Sequence, residues 1–325
     1  MTSVLITIDT ELSAALQARG ASARANVDSS IGGRAKGGAW GIGWQMDLLE
    51  RHGLKGIFFV DPMPALAHGP AWLEDIVRPI VARGHEVQLH IHTEWLEWAA
   101  PSPVGGRRGR NLADFSLADQ TLLLRLAHDL LVQAGAPTPS AFRAGNYGAN
   151  DDSLRALASL GIAWDSSVNP AYLGRGCAIG VDAGIMAATR RLGIIELPVS
   201  GIEDRPGGFR PAQVCAMSAR EMRAALDHAA ATGVATFVIV THSFEMLSRD
   251  RQRPNRAVIR RFEALCAHIA AHPGLKTAGF GDLDPALADR RMEGARLGPS
   301  RARTALRIAA QAVATWRYEH RLKPA

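Results

Sequence analysis

At 325 residues the chain can bury a large core, and an apolar fraction of 47% excludes bulk disorder. The formal charge is +6, but the excess is local: residues 290–325 carry nine lysines and arginines against two acidic residues, leaving the rest near neutral. Three tyrosines without aromatic–basic interleaving argue against a nucleic-acid partner, and three scattered cysteines, Cys177, Cys215 and Cys266, argue against a disulfide framework or a cysteine zinc site.

The first ten residues run straight into a strand-like pattern without a basic leader, and no apolar run approaches 18 residues. The expectation is a soluble, cytoplasmic protein. "SVLITID" (3–9) reads as a buried strand ending in a carboxylate. A long polar loop rich in Gly, Ala and Ser follows to about residue 43. "WQMDLLERHG" (44–53) has apolar residues at helical spacing and a glycine stop. "KGIFFV" (55–60) is a second strand. Residues 70–84 form a helix opened by proline and closed by glycine, with Pro79 expected to kink it.

"HEVQLHI" (85–91) is the third strand. Residues 116–135 form a long amphipathic helix with Ser116 as N-cap. "SAFRAG" (140–145), "IAWDSS" (162–167), "GIIELPVS" (193–200), "VATFVIVTH" (234–242) and "LKTAGFGDL" (275–283) are further strands. Helices over 150–161, 218–233 and 256–272 separate them. Strand–helix alternation predicts a parallel sheet with helical crossovers, either an open doubly wound sheet or a barrel. Asp9, His90, Arg143, Asp165 and His242 each end a different strand. Chemistry drawn from five strand ends favours the barrel. No GxGxxG follows the first strand and no GxxxxGK[ST] occurs, so a nucleotide-binding fold loses support.

"TIDTE" (7–11) sets Asp9 and Glu11 two apart, on one face of an extended chain. Two close carboxylates are costly unless a cation or proton lies between them. "HIHTEW" (90–95) adds His90, His92 and Glu94, a mixed nitrogen and oxygen set suited to zinc and acceptable to other divalent metals. In "FRAGNYG" (142–148) a permanently charged Arg143 can orient a carboxylate, and glycines let the backbone pass close. "WDSS" (164–167) supplies Asp165. "VTHSFEM" (240–246) supplies His242, a natural general acid.

In their order, these motifs resemble the polysaccharide deacetylase family (NodB-homology, carbohydrate esterase family 4), in a divergent, cytoplasmic-type branch. The resemblance implies a distorted (β/α) barrel of about seven parallel strands over residues 1–285, followed by a basic helical extension over 286–325. It implies a divalent metal, zinc first with manganese or cobalt as alternatives, and removal of an N- or O-acetyl group from a sugar. Carried over residue by residue, Asp9 is the base, Arg143 orients it, His242 is the acid and Asp165 is a partner that orients the acid. Thr10 stands where the family has its ligand aspartate, so Glu11 takes that role. His90 is the first ligand histidine. Glu94 stands where the second would be, with His92 as the alternative.

The expected substrate is an acetylated sugar of surface-polysaccharide synthesis, nucleotide- or lipid-linked. Trp40, Trp44, Trp95 and Trp98 in the long loops offer flat faces for sugar rings. The basic C-terminal segment suggests peripheral contact with the inner face of a membrane. A metal hydrolase of a non-sugar C–N bond, and a glycan-binding homologue without catalysis, are the competing readings.

Overall fold

The computed structural model describes residues 1–182, 184–289 and 296–319. In chain order the main elements are β1 (Thr2–Thr10), α1 (Ile42–Arg51), β2 (Ile57–Val60), α2 (Ala71–Ala82), β3 (Glu86–Ile91), α3 (Leu117–Gln133), β4 (Ala141–Ala144) and α4 (Asp151–Ser159). There follow β5 (Trp164–Asp165), β6 (Thr189–Arg191), β7 (Ile194–Glu196), α5 (Ala219–Ala231), β8 (Thr236–His242), α6 (Arg256–Ala271), β9 (Leu275–Thr277) and α7 (Arg301–Ala314). The strand order is β8-β1-β2-β3-β4-β5-β7-β6, with β9 beside the start of β1. Every pairing is parallel except that of β6 with β7.

The sheet curls into a half-barrel, the distorted (β/α) barrel that the strand ends favour. Its open side, between the edge strands β6 and β8, is crossed by chain following β7. Ser200 N–H donates to Val238 O at 3.2 Å, Val240 N–H to Ala212 O at 2.9 Å and Val214 N–H to Val240 O at 3.1 Å. No ladder joins β7 to β8, so the strands do not close on one another.

Alternation along each strand sorts side chains to two faces. Leu5, Ile57, Phe59, Ala141, Trp164, Ile195 and Val238 meet inside the curl. Val4, Ile6, Ile8, Phe58, Val60, Leu89, Phe142 and Ile239 pack outward under the helices. The helix ends follow the expected chemistry: Ser116 caps α3 by accepting Asp119 N–H at 3.2 Å, and Asn150 and Ser218 cap α4 and α5. Pro79 lies inside α2, which continues to Ala82.

One expectation needs correction. The stretch from 12 to 43 is not a plain loop. It holds short helices Ala14–Gln17 and Ala23–Ser30 and a two-stranded hairpin, because Ser13 and Ser22 cap helices and Asn26 ties back to Ser13. A second hairpin, Gly201–Arg205 with Gly208–Pro211, follows β7. The thiols are free, with Cys177 and Cys266 buried and Cys215 at the surface.

Asp165 and Glu196 face each other across β5 and β7 on the outward side, both fully buried. Asp165 accepts Ser167 Oγ at 2.6 Å, and Glu196 accepts Val168 N–H at 3.0 Å. Burial raises the Glu196 carboxyl well above its usual range, and the Asp165 charge adds to it. Burial raises Asp165 as well. The pair therefore shares a proton in the fold that the unfolded chain releases above the ordinary glutamate range. Stability from this proton is complete at low pH and is lost as pH rises through the raised value, by about 1.4 kcal/mol per pH unit across the window. Glu196→Gln supplies the shared hydrogen at every pH. Thermal unfolding is expected to show a gain over wild type at pH 8 that disappears near pH 4. Equal shifts at both pH values would contradict the shared proton.

Candidate active site

The chemistry-bearing residues lie at the carboxyl ends of β1, β2, β3, β4 and β8, on the inward face. Register sets Asp9 beside His242 and His90 beside Arg143. Arg143 is fully buried. Its Nη1 donates to Asp9 Oδ1 at 2.7 Å and Thr7 Oγ1 at 2.8 Å, its Nε to Ser166 O at 3.2 Å, and its plane lies 4.4 Å over the Phe59 ring. This fixes the Asp9 carboxylate and leaves Oδ2 facing His242 Nε2 at 3.9 Å.

Glu245 holds the other face of His242, its Oε1 3.1 Å from Nδ1. Burial alone would lower the His242 pKa, but the Glu245 hydrogen bond and charge, with Asp9 and Glu11 behind them, raise it to about 9. The imidazole is therefore a proton donor at neutral pH, aimed at the carboxylate that can serve as base.

Glu11, His90 and His92 form the second half. Their candidate ligand atoms lie within 4.8 Å of one another. His90 Nδ1 is 2.7 Å from Arg143 O, which orients the ring and turns Nε2 toward Glu11 Oε2 at 3.2 Å. His92 Nδ1 is 2.9 Å from Glu94 Oε2, and its Nε2 contacts the same Glu11 oxygen. Imidazoles tied through Nδ1 to an oxygen, with Nε2 converging on a carboxylate, form the donor set of a divalent cation. Burial raises Glu11, but the two imidazoles outweigh it and hold its carboxyl well below the usual range. Burial lowers His92, but Glu11 and Glu94 outweigh it and hold it well above 6.5. A proton thus sits where a cation would. Gly145 makes room, since a Cβ there would come within 2.7 Å of His92 Nδ1. Beside it Asn146 and Tyr147 both take left-handed φ, 55° and 56°, a strained conformation for such residues.

These side chains floor a cavity of about 590 Å³. Tyr147, Tyr172, Gln213 and Asn146 form its walls, with Arg110 and Arg175 at its edge.

The fold has solved counterparts. A Mycobacterium smegmatis protein assigned as a polysaccharide deacetylase superposes with a TM-score of 0.57 at 17% identity, over 92% of this chain and 94% of that one. The chain has the NodB-type polysaccharide deacetylase fold. A 4-alpha-glucanotransferase from Thermococcus litoralis also superposes, with a TM-score of 0.53 at 10% identity, over 92% of this chain but 42% of that one. No protein-family profile and no curated protein matches the chain. Identities this low carry the NodB-type fold and not the reaction, and the glucanotransferase shows one framework in the service of a different chemistry.

Within this NodB-type framework, the structure brings together Asp9, Glu11, His90, His92, Arg143 and His242. It separates two other expected site residues. Asp165 does not orient His242. Alternation sends Trp164 inward and Asp165 outward to Glu196, and Glu245 takes the orienting position. Glu94 stands behind His92, between its Nδ1 and Asn146 Nδ2 at 3.1 Å, and is not among the converging ligand atoms. The tryptophans are also placed differently. Trp40 and Trp95 belong to the core and Trp44 and Trp98 pack against it, so Tyr147 and Tyr172 are the aromatic walls instead.

Asp61 is a site residue that the motifs did not indicate. It follows β2 on the inward side, is 1% exposed, and one carboxylate oxygen has no hydrogen-bond partner. Burial raises it to about 6, against the pull of His92 and His90. Strand alternation from Ile57 through Phe59 was the signal for it.

Proposed function

We propose that the chain is a metal-dependent hydrolase that removes an acetyl group from a sugar. The observation that carries this reading is the convergence of His90 and His92 Nε2 on Glu11, within one cavity that also presents Asp9 and His242. Glu11, His90 and His92 would hold the cation. Bound there, it supplies Lewis acidity, polarising an acetyl carbonyl and easing the loss of a proton from water. Asp9 Oδ2 accepts that proton, and the Arg143 hydrogen bond to Oδ1 keeps the carboxylate correctly turned. His242 Nε2 donates a proton to the departing sugar nitrogen or oxygen. Glu245 keeps the imidazole charged and in place. Tyr172 presents a half-open ring face to a sugar. The substrate we infer is a sugar linked to a nucleotide or lipid carrier, handled in the cytoplasm; the room beyond the floor residues and the arginines at the cavity edge support it. A protein that only binds glycans has no use for a base and an acid 3.9 Å apart.

The test is acetate release from acetylated sugars by the metal-loaded protein across pH. Activity should hold below pH 9 and fall above it as His242 loses its proton. Glu245→Gln removes the main support for that proton, so the alkaline limb moves down toward the ordinary histidine range. At pH 8 the rate should drop more than about tenfold while the rate at pH 6 changes little. An alkaline limb unmoved by Glu245→Gln would remove His242 as the acid.

A further inference from the structure

Helix α7 is built the wrong way round for a helix packed on a globular domain. Its buried residue is Arg307, whose Nε meets Glu221 Oε1 at 3.0 Å and whose Nη2 meets Asp204 Oδ2 at 3.1 Å. Thr304 Oγ1 donates to Asp204 O at 3.0 Å, and Gln311 Nε2 to Ala216 O at 3.0 Å. The docked face is polar. The apolar residues face out: Leu306 is 52% exposed, Ile308 56%, Val313 63% and, just beyond the helix, Trp316 72%. Among the described residues these are four of ten large apolar side chains with high exposure.

An amphipathic helix normally does the reverse. Leaving four such side chains in water is unfavourable, so the outer face is shaped for a cover. Its charge indicates which one. Residues 300–318 contain no acidic side chain, and Arg301, Arg303 and Arg317 flank the apolar strip while Arg307 is neutralised beneath it. Behind the helix, Gln311 and Ala314 share a cavity of about 540 Å³ with Arg249, Arg251 and Arg261. A tryptophan-edged apolar strip between cations matches the interface of an anionic bilayer, where the strip enters the acyl boundary and the guanidinium groups meet phosphates. No helix of the described residues is long and apolar enough to cross a membrane, so contact would be peripheral.

We propose that α7 and Trp316 form a docking face for an anionic lipid surface. This does not depend on the acetyl-hydrolase reading, because none of these residues lines the catalytic cavity.

The test is flotation of the full chain with vesicles of phosphatidylcholine alone or mixed with phosphatidylglycerol. Binding to the mixed vesicles is expected to exceed binding to phosphatidylcholine by about 10- to 100-fold and to weaken with salt. Leu306→Ser with Val313→Ser, and separately Trp316→Ser, should abolish it with the helix content by circular dichroism unchanged, since these side chains support no core contact. Arg301→Gln with Arg303→Gln and Arg317→Gln should erase the preference for the anionic lipid. No binding to anionic vesicles, or binding indifferent to the apolar substitutions, would overturn the proposal. A dimer that the same substitutions dissociate, without vesicle binding, would give the face to a second copy of the chain and overturn it equally.

Discussion

Arg143→Met is expected to cost about 3–5 kcal/mol of stability, the largest loss of any single replacement in the site. The guanidinium is fully buried and holds Asp9, Thr7 and Ser166 together across three strands. Removing it leaves the Asp9 carboxylate 4% exposed without its counter-ion. Most of the loss comes from that stranded charge, not from the contacts themselves. Adding Asp9→Asn should therefore recover part of the stability. Urea unfolding of the two single variants and the double variant checks this. A single Arg143→Met variant as stable as wild type would mean that the Arg143–Asp9 pair carries no stability, and the positioning of the base would lose its support.

Asp9→Asn alone is expected to lower the turnover rate by about 10²- to 10⁴-fold, the usual contribution of a positioned general base. Metal affinity should change little, because Asp9 points to Arg143 and His242 and not to the nitrogen atoms that converge on Glu11. Calorimetric titration with a divalent metal, beside a rate measurement, separates the two effects. Parallel loss of metal and of rate would move Asp9 into the ligand set and require another base.

Much of this arrangement was legible beforehand because strand ends are legible. A run such as "VLITID" or "FVIVTH" passes from apolar to polar where the barrel opens, and barrels place chemistry there. That logic found Asp9, His90, Arg143 and His242. It failed at Asp165 because the strand is two residues long and its facing depends on Trp164, which only the packed interior reveals. It passed over Asp61, which obeys the same alternation but lies in no motif. Glu245 lies beyond the strand, and its turn toward His242 is set by the Thr241 hydroxyl that donates to it at 2.6 Å. The tryptophans misled because an indole serves equally well as core filler and as sugar platform. The basic C-terminal segment was visible as charge alone. That Arg307 turns inward and Leu306 outward follows from Glu221 and Asp204, which lie far away in sequence.

Glu11, His90 and His92 are expected to hold a divalent cation, and metal titration of the chain tests this. Stripped protein offered zinc, manganese or cobalt should bind close to one ion per chain. Binding should release a proton at neutral pH, because His92 must give up the one it shares with Glu11. His90→Ala should eliminate the binding, and Glu94→Gln, which only loosens the hold on His92, should weaken it about 10- to 100-fold. A wild-type chain that takes up none of these metals, or a His90→Ala chain that binds as tightly as wild type, would rule out this metal site.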